Sequence, residues 1–334
     1  MNLSQFPRRR YTPYNTPIEA APRFTKALGG PNIYIKRDDL LGLAAGGNKT
    51  RKLEFLMADA LEQGADTIIT CGAVQSNHCR LTLAAAVKEG LRCQLVLEER
   101  VPNSYDRYAS GNNFLYDLLG VEATHVVPGG SDVTGKMQEV ADKLKADGRH
   151  PYIIPGGGSN EIGALGYVAC AQETLQQLFE MQLNIDYIVC TSGSTGTHSG
   201  MLTGLIGNNA QIPLIGIGIN RPKEVQREAV YDLARRTSAK LGLPSSPAME
   251  DVIVFGDYIG EGYSRPTEGM VEAVKLLART EAILLDPVYT GKTMAGMIDL
   301  VHKGYFADAK NILFLHTGGS PALFAYTKTF FGQE

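Results

Sequence analysis

Four short stretches of this chain gather glycine, hydroxyl, amide and amine groups at spacings that could hold a small anionic ligand. The first is Gly46-Gly47-Asn48-Lys49-Thr50-Arg51-Lys52-Leu53-Glu54. Its glycines set Asn48 and Lys49 at the start of a helix, where a cation meets the positive end of the helix dipole. Two readings account for a lysine there. One is an amine kept nucleophilic by a depressed pKa, as Schiff-base chemistry demands; the other is a solvated surface side chain. The second stretch, Ser192-Gly193-Ser194-Thr195-Gly196-Thr197, lies between an apolar run and a helical stretch. Inward-turned N–H groups, hydroxyls and a helix N-terminus make an anion cradle best suited to phosphate, although a plain strand-to-helix turn has the same composition. No lysine follows its last glycine as in a Walker A loop, and no GxGxxG fingerprint with a downstream acid stands out.

The third stretch, Gly72-Ala73-Val74-Gln75-Ser76-Asn77-His78, also opens a helix. Ser76, Asn77 and His78 would offer hydroxyl, amide and backbone N–H groups to a carboxylate. Ser76 reads equally as an N-cap, and the two roles are compatible. The fourth constellation is Leu285-Asp286-Pro287-Val288-Tyr289-Thr290-Gly291-Lys292 with His316-Thr317-Gly318-Gly319-Ser320-Pro321, both past apolar runs. A lone tyrosine such as Tyr289 is more often core packing than catalysis. His125, His150, His198, His302 and His316 lack metal-ligand spacing, and neither HExxH nor CxxC occurs, so no transition-metal site is expected.

The elements that must position these groups follow from the apolar pattern. Runs such as Thr67–Thr70, Gln94–Leu97, Thr124–Val127, Tyr152–Ile154, Tyr187–Cys190, Leu214–Ile217, Val252–Val254 and Ile312–Leu315 join Ile33–Ile35 as strand candidates. Most show no alternation, as strands buried on both faces do. Helical periodicity fills the gaps: Leu53, Leu56, Met57, Ala60 and Leu61 share one face, and similar stretches run over 76–90, 133–148, 160–181, 224–242 and 268–280. The pattern predicts an α/β fold of mostly parallel sheet with crossover helices. At 334 residues two lobes are expected.

Composition narrows the function. The chain is 44% hydrophobic and 20% charged with a net charge of −3. That balance lacks the positive bias of a nucleic-acid or membrane-surface binder and points to a small substrate. Five cysteines without paired spacing fit a reducing compartment. The basic run Arg8-Arg9-Arg10 precedes no signal-like apolar stretch. No segment approaches the ~20 apolar residues of a membrane span. The expectation is a cytoplasmic protein.

Taken together, GGNKTRKLE, QSNH, DPVYTGK and HTGG resemble the 1-aminocyclopropane-1-carboxylate (ACC) deaminase/D-cysteine desulfhydrase family of fold-type II pyridoxal-phosphate (PLP) enzymes. The likeness runs from Ile35-Lys36-Arg37-Asp38-Asp39 to Gly318-Gly319-Ser320-Pro321-Ala322. It implies that Lys49 carries PLP as a Schiff base, that Asn77 contacts the ring hydroxyl, and that Ser192 to Thr197 hold the phosphate. It places Ser76 and Tyr289 on the substrate side, with Tyr263 as a second tyrosine. It also implies a small lobe, residues 52–159, inserted into a larger PLP-binding lobe of 1–51 plus 160–334, and a homodimer. One position departs from ACC deaminases, which carry Glu against the pyridine nitrogen where this chain has Thr290. A carboxylate there keeps the ring protonated and deepens the electron sink. Opening a cyclopropane calls for that deeper sink; expelling a leaving group from Cβ needs less. Thr290, and His78 where ACC deaminase shows Gln, therefore favour β-elimination from a cysteine-like amino acid. L-cysteate, releasing sulfite, is favoured over D-cysteine, releasing sulfide, with His78, Arg265 and Thr290 as candidate sulfonate donors. A PLP-binding protein without lyase activity is the reading from another class.

Overall fold

A run such as Ile312-Leu313-Phe314-Leu315 has no polar face, so it is stable only in a sheet covered on both sides. The computed structural model, which describes residues 1–332, contains two such sheets. Its ten strands are β1 (Ile18–Ala20), β2 (Asn32–Lys36), β3 (Thr67–Ala73), β4 (Arg92–Glu99), β5 (Ala123–Pro128), β6 (Pro151–Ile154), β7 (Tyr187–Ser192), β8 (Leu214–Gly218), β9 (Ile253–Phe255) and β10 (Asn311–Leu315). One sheet has the order β1-β2-β10-β7-β8-β9, the other β5-β4-β3-β6. Every pairing is parallel except that of β1 with β2. The α/β expectation holds: eight of the nine anticipated runs lie within a strand, and the ninth, Val252–Val254, overlaps β9 but begins one residue before it. The unanticipated strand, β1, has three residues and lies at an edge, too short to leave a pattern.

Both faces of each sheet are packed. Phe24, Met270, Leu277 and Met294 cover one side of the larger sheet, and Tyr167, Met201, Leu205 and Val230 the other. Leu53, Leu56, Leu81 and Leu83 cover one side of the smaller sheet, and Met137, Val140 and Leu144 the other. Four helices start where the sequence offers a side-chain acceptor: Ser76 accepts from Cys79 N, Asp132 from Gly135 N, Asn160 from Gly163 N and Thr267 from Met270 N. The small sheet spans 67–154, inside the expected 52–159 insertion. The expected boundary at 51/52 falls within the helix Lys49–Glu62, which packs on both Glu161–Glu180 and Asn77–Lys88.

The segment entering the Lys49 helix is unusual. Leu43, Ala44, Ala45, Gly46 and Gly47 all have positive φ, at 92°, 33°, 65°, 69° and 126°. A Cβ on Gly46 would lie 1.9 Å from the Asp39 carbonyl oxygen. Only glycine fits, because the obstacle is backbone and cannot swing away. Gly46→Ala is expected to cost about 2–4 kcal/mol, seen as a lower unfolding temperature and poorer cofactor retention. An unaltered melting curve would show that the turn relaxes freely.

Candidate active site

Lys49 is the first residue of its helix, and a buried ion-pair network fixes that helix from two residues further on. Arg51, 3% exposed, holds Asp38 and Glu173, each at 2.8 Å, and Tyr167 donates to Asp38 at 2.7 Å. The guanidinium overcomes the burial of Asp38 and holds its carboxyl at about 2. Lys49 Nζ donates to Asn48 Oδ1 at 3.0 Å, and Asn48 Nδ2 donates to Thr197 Oγ1 at 2.8 Å. The amine is thereby tied to the glycine–hydroxyl turn. Burial lowers the Lys49 pKa to about 8; Asp286 pulls it up and Arg80 pushes it further down. Arg80 is itself fully buried with Nε and Nη1 unpartnered.

The turn after β7 faces Lys49. Gly193, Ser194, Thr195 and Thr197 line one cleft with Lys49 and Asn48, and Thr195 takes φ +79° to turn its backbone there. Ser159 braces the turn: its hydroxyl donates to Ser194 Oγ at 3.0 Å and accepts from Gly196 N at 3.2 Å. A Cβ on Gly196 would lie 2.9 Å from Lys52 Nζ. Lys52 is fully buried, donates only to Gly157 O at 3.0 Å, and pairs with no carboxylate among the described residues. Burial, then the field of Lys49, drives its pKa well down. Ser192, expected in the cradle, lies outside it. As the last residue of β7 it is engaged away from the cleft, accepting from Gln226 Nε2 at 2.9 Å and lying 3.0 Å from His198 Nδ1.

On the opposite wall Asn77 reaches the cleft, its Oδ1 taken by Asn112 Nδ2 at 2.9 Å, which leaves the Nδ2 donors for a ligand. Ser76 caps the helix, accepting from Cys79 N at 3.1 Å, and retains its hydroxyl proton. His78 does not present its ring. One residue further round the helix, its Nε2 lies 2.8 Å from Thr70 Oγ1, which already donates to Ile154 O. Nε2 is therefore the protonated nitrogen, and only the backbone of His78 remains for a ligand. The third wall is aromatic. Tyr289 lines the cleft, its ring 5.8 Å from Lys49 Nζ, and its hydroxyl meets that of Tyr263. Burial pushes both phenols above their ordinary range. Thr290 also departs from expectation: its hydroxyl donates to Asp286 Oδ1 at 2.9 Å and accepts from Asp286 N at 2.8 Å, closing the start of its own helix. Arg265 is exposed. Thr191, Thr317 and Gly318 complete the cleft, all of them residues at or just beyond a strand end.

This arrangement has known counterparts. A family model described as "Pyridoxal-phosphate dependent enzyme" matches residues 10–318. The chain belongs to this family of PLP enzymes. A solved structure described as an ACC deaminase homologue is 38% identical, with a TM-score of 0.90, over 99% of this chain and 97% of that one. More distant likenesses, to a PLP-dependent aspartate racemase (17% identity, TM-score 0.63, 92% of this chain and 90% of that one) and an O-ureido-L-serine synthase (18%, 0.67, 94% and 92%), show the shared fold alone. The cleft fits PLP on its own chemistry. Lys52 is a buried ammonium without a counter-ion beside a cradle of backbone and hydroxyl donors, which is what a phosphate needs. A half-buried, pKa-depressed amine stands at the other end. Among the described residues no three His, Cys, Asp or Glu side chains cluster as a metal site would require, and no helix is long and apolar enough to cross a membrane.

Proposed function

We propose that this PLP enzyme is a β-eliminating carbon–sulfur lyase that converts L-cysteate to pyruvate, ammonium and hydrogen sulfite. The observation that carries this reading is the absence of any carboxylate from the cleft lining among the described residues. The nearest acid in the Tyr289 segment, Asp286, is fully buried and bound by the backbone N–H groups of Val288, Tyr289 and Thr290. Without an acid at the ring nitrogen the electron sink is shallower. A shallow sink suits loss of an anion from Cβ better than the opening of a cyclopropane, the reaction that the name of the 38% identical structure suggests.

Bound PLP supplies an electron sink conjugated to the substrate Cα. Phosphate would be held by Lys52 and the turn of Gly193 to Thr197, and the covalent link by Lys49. The N-terminus of helix Asn77–Lys88, with the Ser76 hydroxyl and Asn77 Nδ2, is the place for the substrate carboxylate. Lys49 Nζ takes the Cα proton, a task for which a pKa near 8 is well matched. The C–S bond then breaks with its electron pair going to sulfur, and released 2-aminoacrylate adds water to give pyruvate and ammonium. Cysteate monoanion plus water thus gives pyruvate, ammonium and hydrogen sulfite, with no net oxidation.

The second reading, sulfide release from D-cysteine, draws support from the Tyr263–Tyr289 pair, whose raised pKa values keep a proton available for a departing thiolate. A paired assay separates the two. Sulfite from L-cysteate is expected at a kcat/KM about tenfold or more above that for sulfide from D-cysteine, since one misplaced charge in a site typically costs at least that much. Equal rates on both substrates would remove the ranking.

A further inference from the structure

We propose that Arg100 is the specificity residue of this cleft, reading a negatively charged leaving group on the substrate Cβ. The inference rests on the lyase reading above and deepens it. Arg100 follows directly on β4, at the C-terminal edge of the small sheet, and reaches across to the large lobe, where its guanidinium carbon lies 4.3 Å from the ring centroid of Tyr263. The Tyr263 hydroxyl meets that of Tyr289, and the Tyr289 ring lies 5.8 Å from Lys49 Nζ. Arg100 thus borders the tyrosine wall of the cleft, and a Cβ substituent directed at that wall approaches its guanidinium.

Its hydrogen bonding leaves it free for a ligand. Nε is committed to Glu98 Oε2 at 2.7 Å, and Glu98 Oε1 accepts from Gly130 N at 2.9 Å, so the carboxylate acts as an orienting strut. Nη1 and Nη2 donate to no described residue, and the side chain is 36% exposed. A fork of two parallel N–H donors is the geometry that pairs with two oxygens of a sulfonate. Stacking on Tyr263 holds the fork in place. The field of Arg100 reaches both tyrosines, since it opposes the upward shift of each phenol.

The energetics favour the transition state. As the C–S electron pair moves onto sulfur, a singly charged sulfonate becomes sulfite dianion before it gains a proton. A fixed cation at that point stabilises the departing group more than the bound substrate, which raises kcat as well as lowering KM. A substituent that is neutral when bound gains less, because it departs with one negative charge rather than two and brings none into the bound substrate.

The test compares the wild type with Arg100→Gln and Arg100→Lys in the PLP-loaded protein. L-cysteate is assayed by sulfite and β-chloro-L-alanine, whose substituent is neutral, by chloride; visible absorbance verifies cofactor loading. The ratio of kcat/KM for L-cysteate to that for β-chloro-L-alanine is expected to fall by about 100-fold or more in Arg100→Gln, with higher KM and lower kcat for L-cysteate. Arg100→Lys is expected to recover part of it, restoring charge without the fork. An unchanged ratio overturns the proposal, whether both activities persist or both fall together, as they would if Arg100 held the α-carboxylate or only braced the lobes. Wild-type protein that releases chloride but no sulfite overturns the sulfonate reading itself and Arg100's role with it.

Discussion

Lys49→Ala is expected to lose both the visible absorbance of lysine-bound PLP and at least about 10³-fold in turnover, the scale of a lost general base. Alanine leaves the helix start and the Arg51 network intact, so the loss would be chemical. The amine is also the group whose protonation sets how fast PLP-free protein captures the cofactor, because only the neutral form attacks an aldehyde. With a pKa lowered to about 8 by burial, the capture rate is expected to rise with pH, inflect near 8 and level off above it. Arg80 adds to the depression, so Arg80→Met is expected to move the inflection upwards. A flat profile from pH 6 to 10, or full activity in Lys49→Ala, would remove Lys49 from the chemistry.

Lys49 was legible because two glycines and a cation at a helix start are locally costly, and costly local choices mark function. The sheets were legible because fully apolar runs have few stable placements. What escaped is a matter of phase and distance. Ser192 and Ser194 look alike in the sequence, but β7 continues through Ser192 and directs it at His198, so the cradle begins one residue later. Asn77 and His78 are one step apart on a helix, and that step of about 100° carries the His78 ring to Thr70. Thr290 is engaged by an acid four residues earlier, a local contact that a resemblance does not reveal. Lys52 had a readable signal: it lies three residues from Lys49, the spacing that puts two side chains on one helix face. Arg100 had none, since it enters from the end of β4 in the other sheet.

Lys52 yields the other large effect, and its sign depends on whether PLP is present. In the PLP-free protein its ammonium is buried beside Lys49 with one carbonyl as partner, so the charged form costs folding energy. The folded-state pKa lies well below 10.5. Between that depressed value and 10.5 the unfolded chain binds the proton that the folded chain has shed, so stability rises with pH across this window, and at lower pH the burial cost is present in full. Lys52→Met, similar in length and uncharged, removes that cost. The PLP-free variant is therefore expected to melt at or above the wild-type temperature near neutral pH and to lose the wild-type gain on raising pH. Phosphate binding reverses the balance, because the variant has no charge to offer a dianion. Its affinity for PLP is expected to fall by about 100-fold or more, the range found when one partner of a buried charge pair is removed, and its PLP-loaded form to melt below the wild type. The opposite shifts of the two forms separate an electrostatic role from simple misfolding, which would lower both melting temperatures together. Wild-type PLP affinity in Lys52→Met would mean that this ammonium does not face the phosphate.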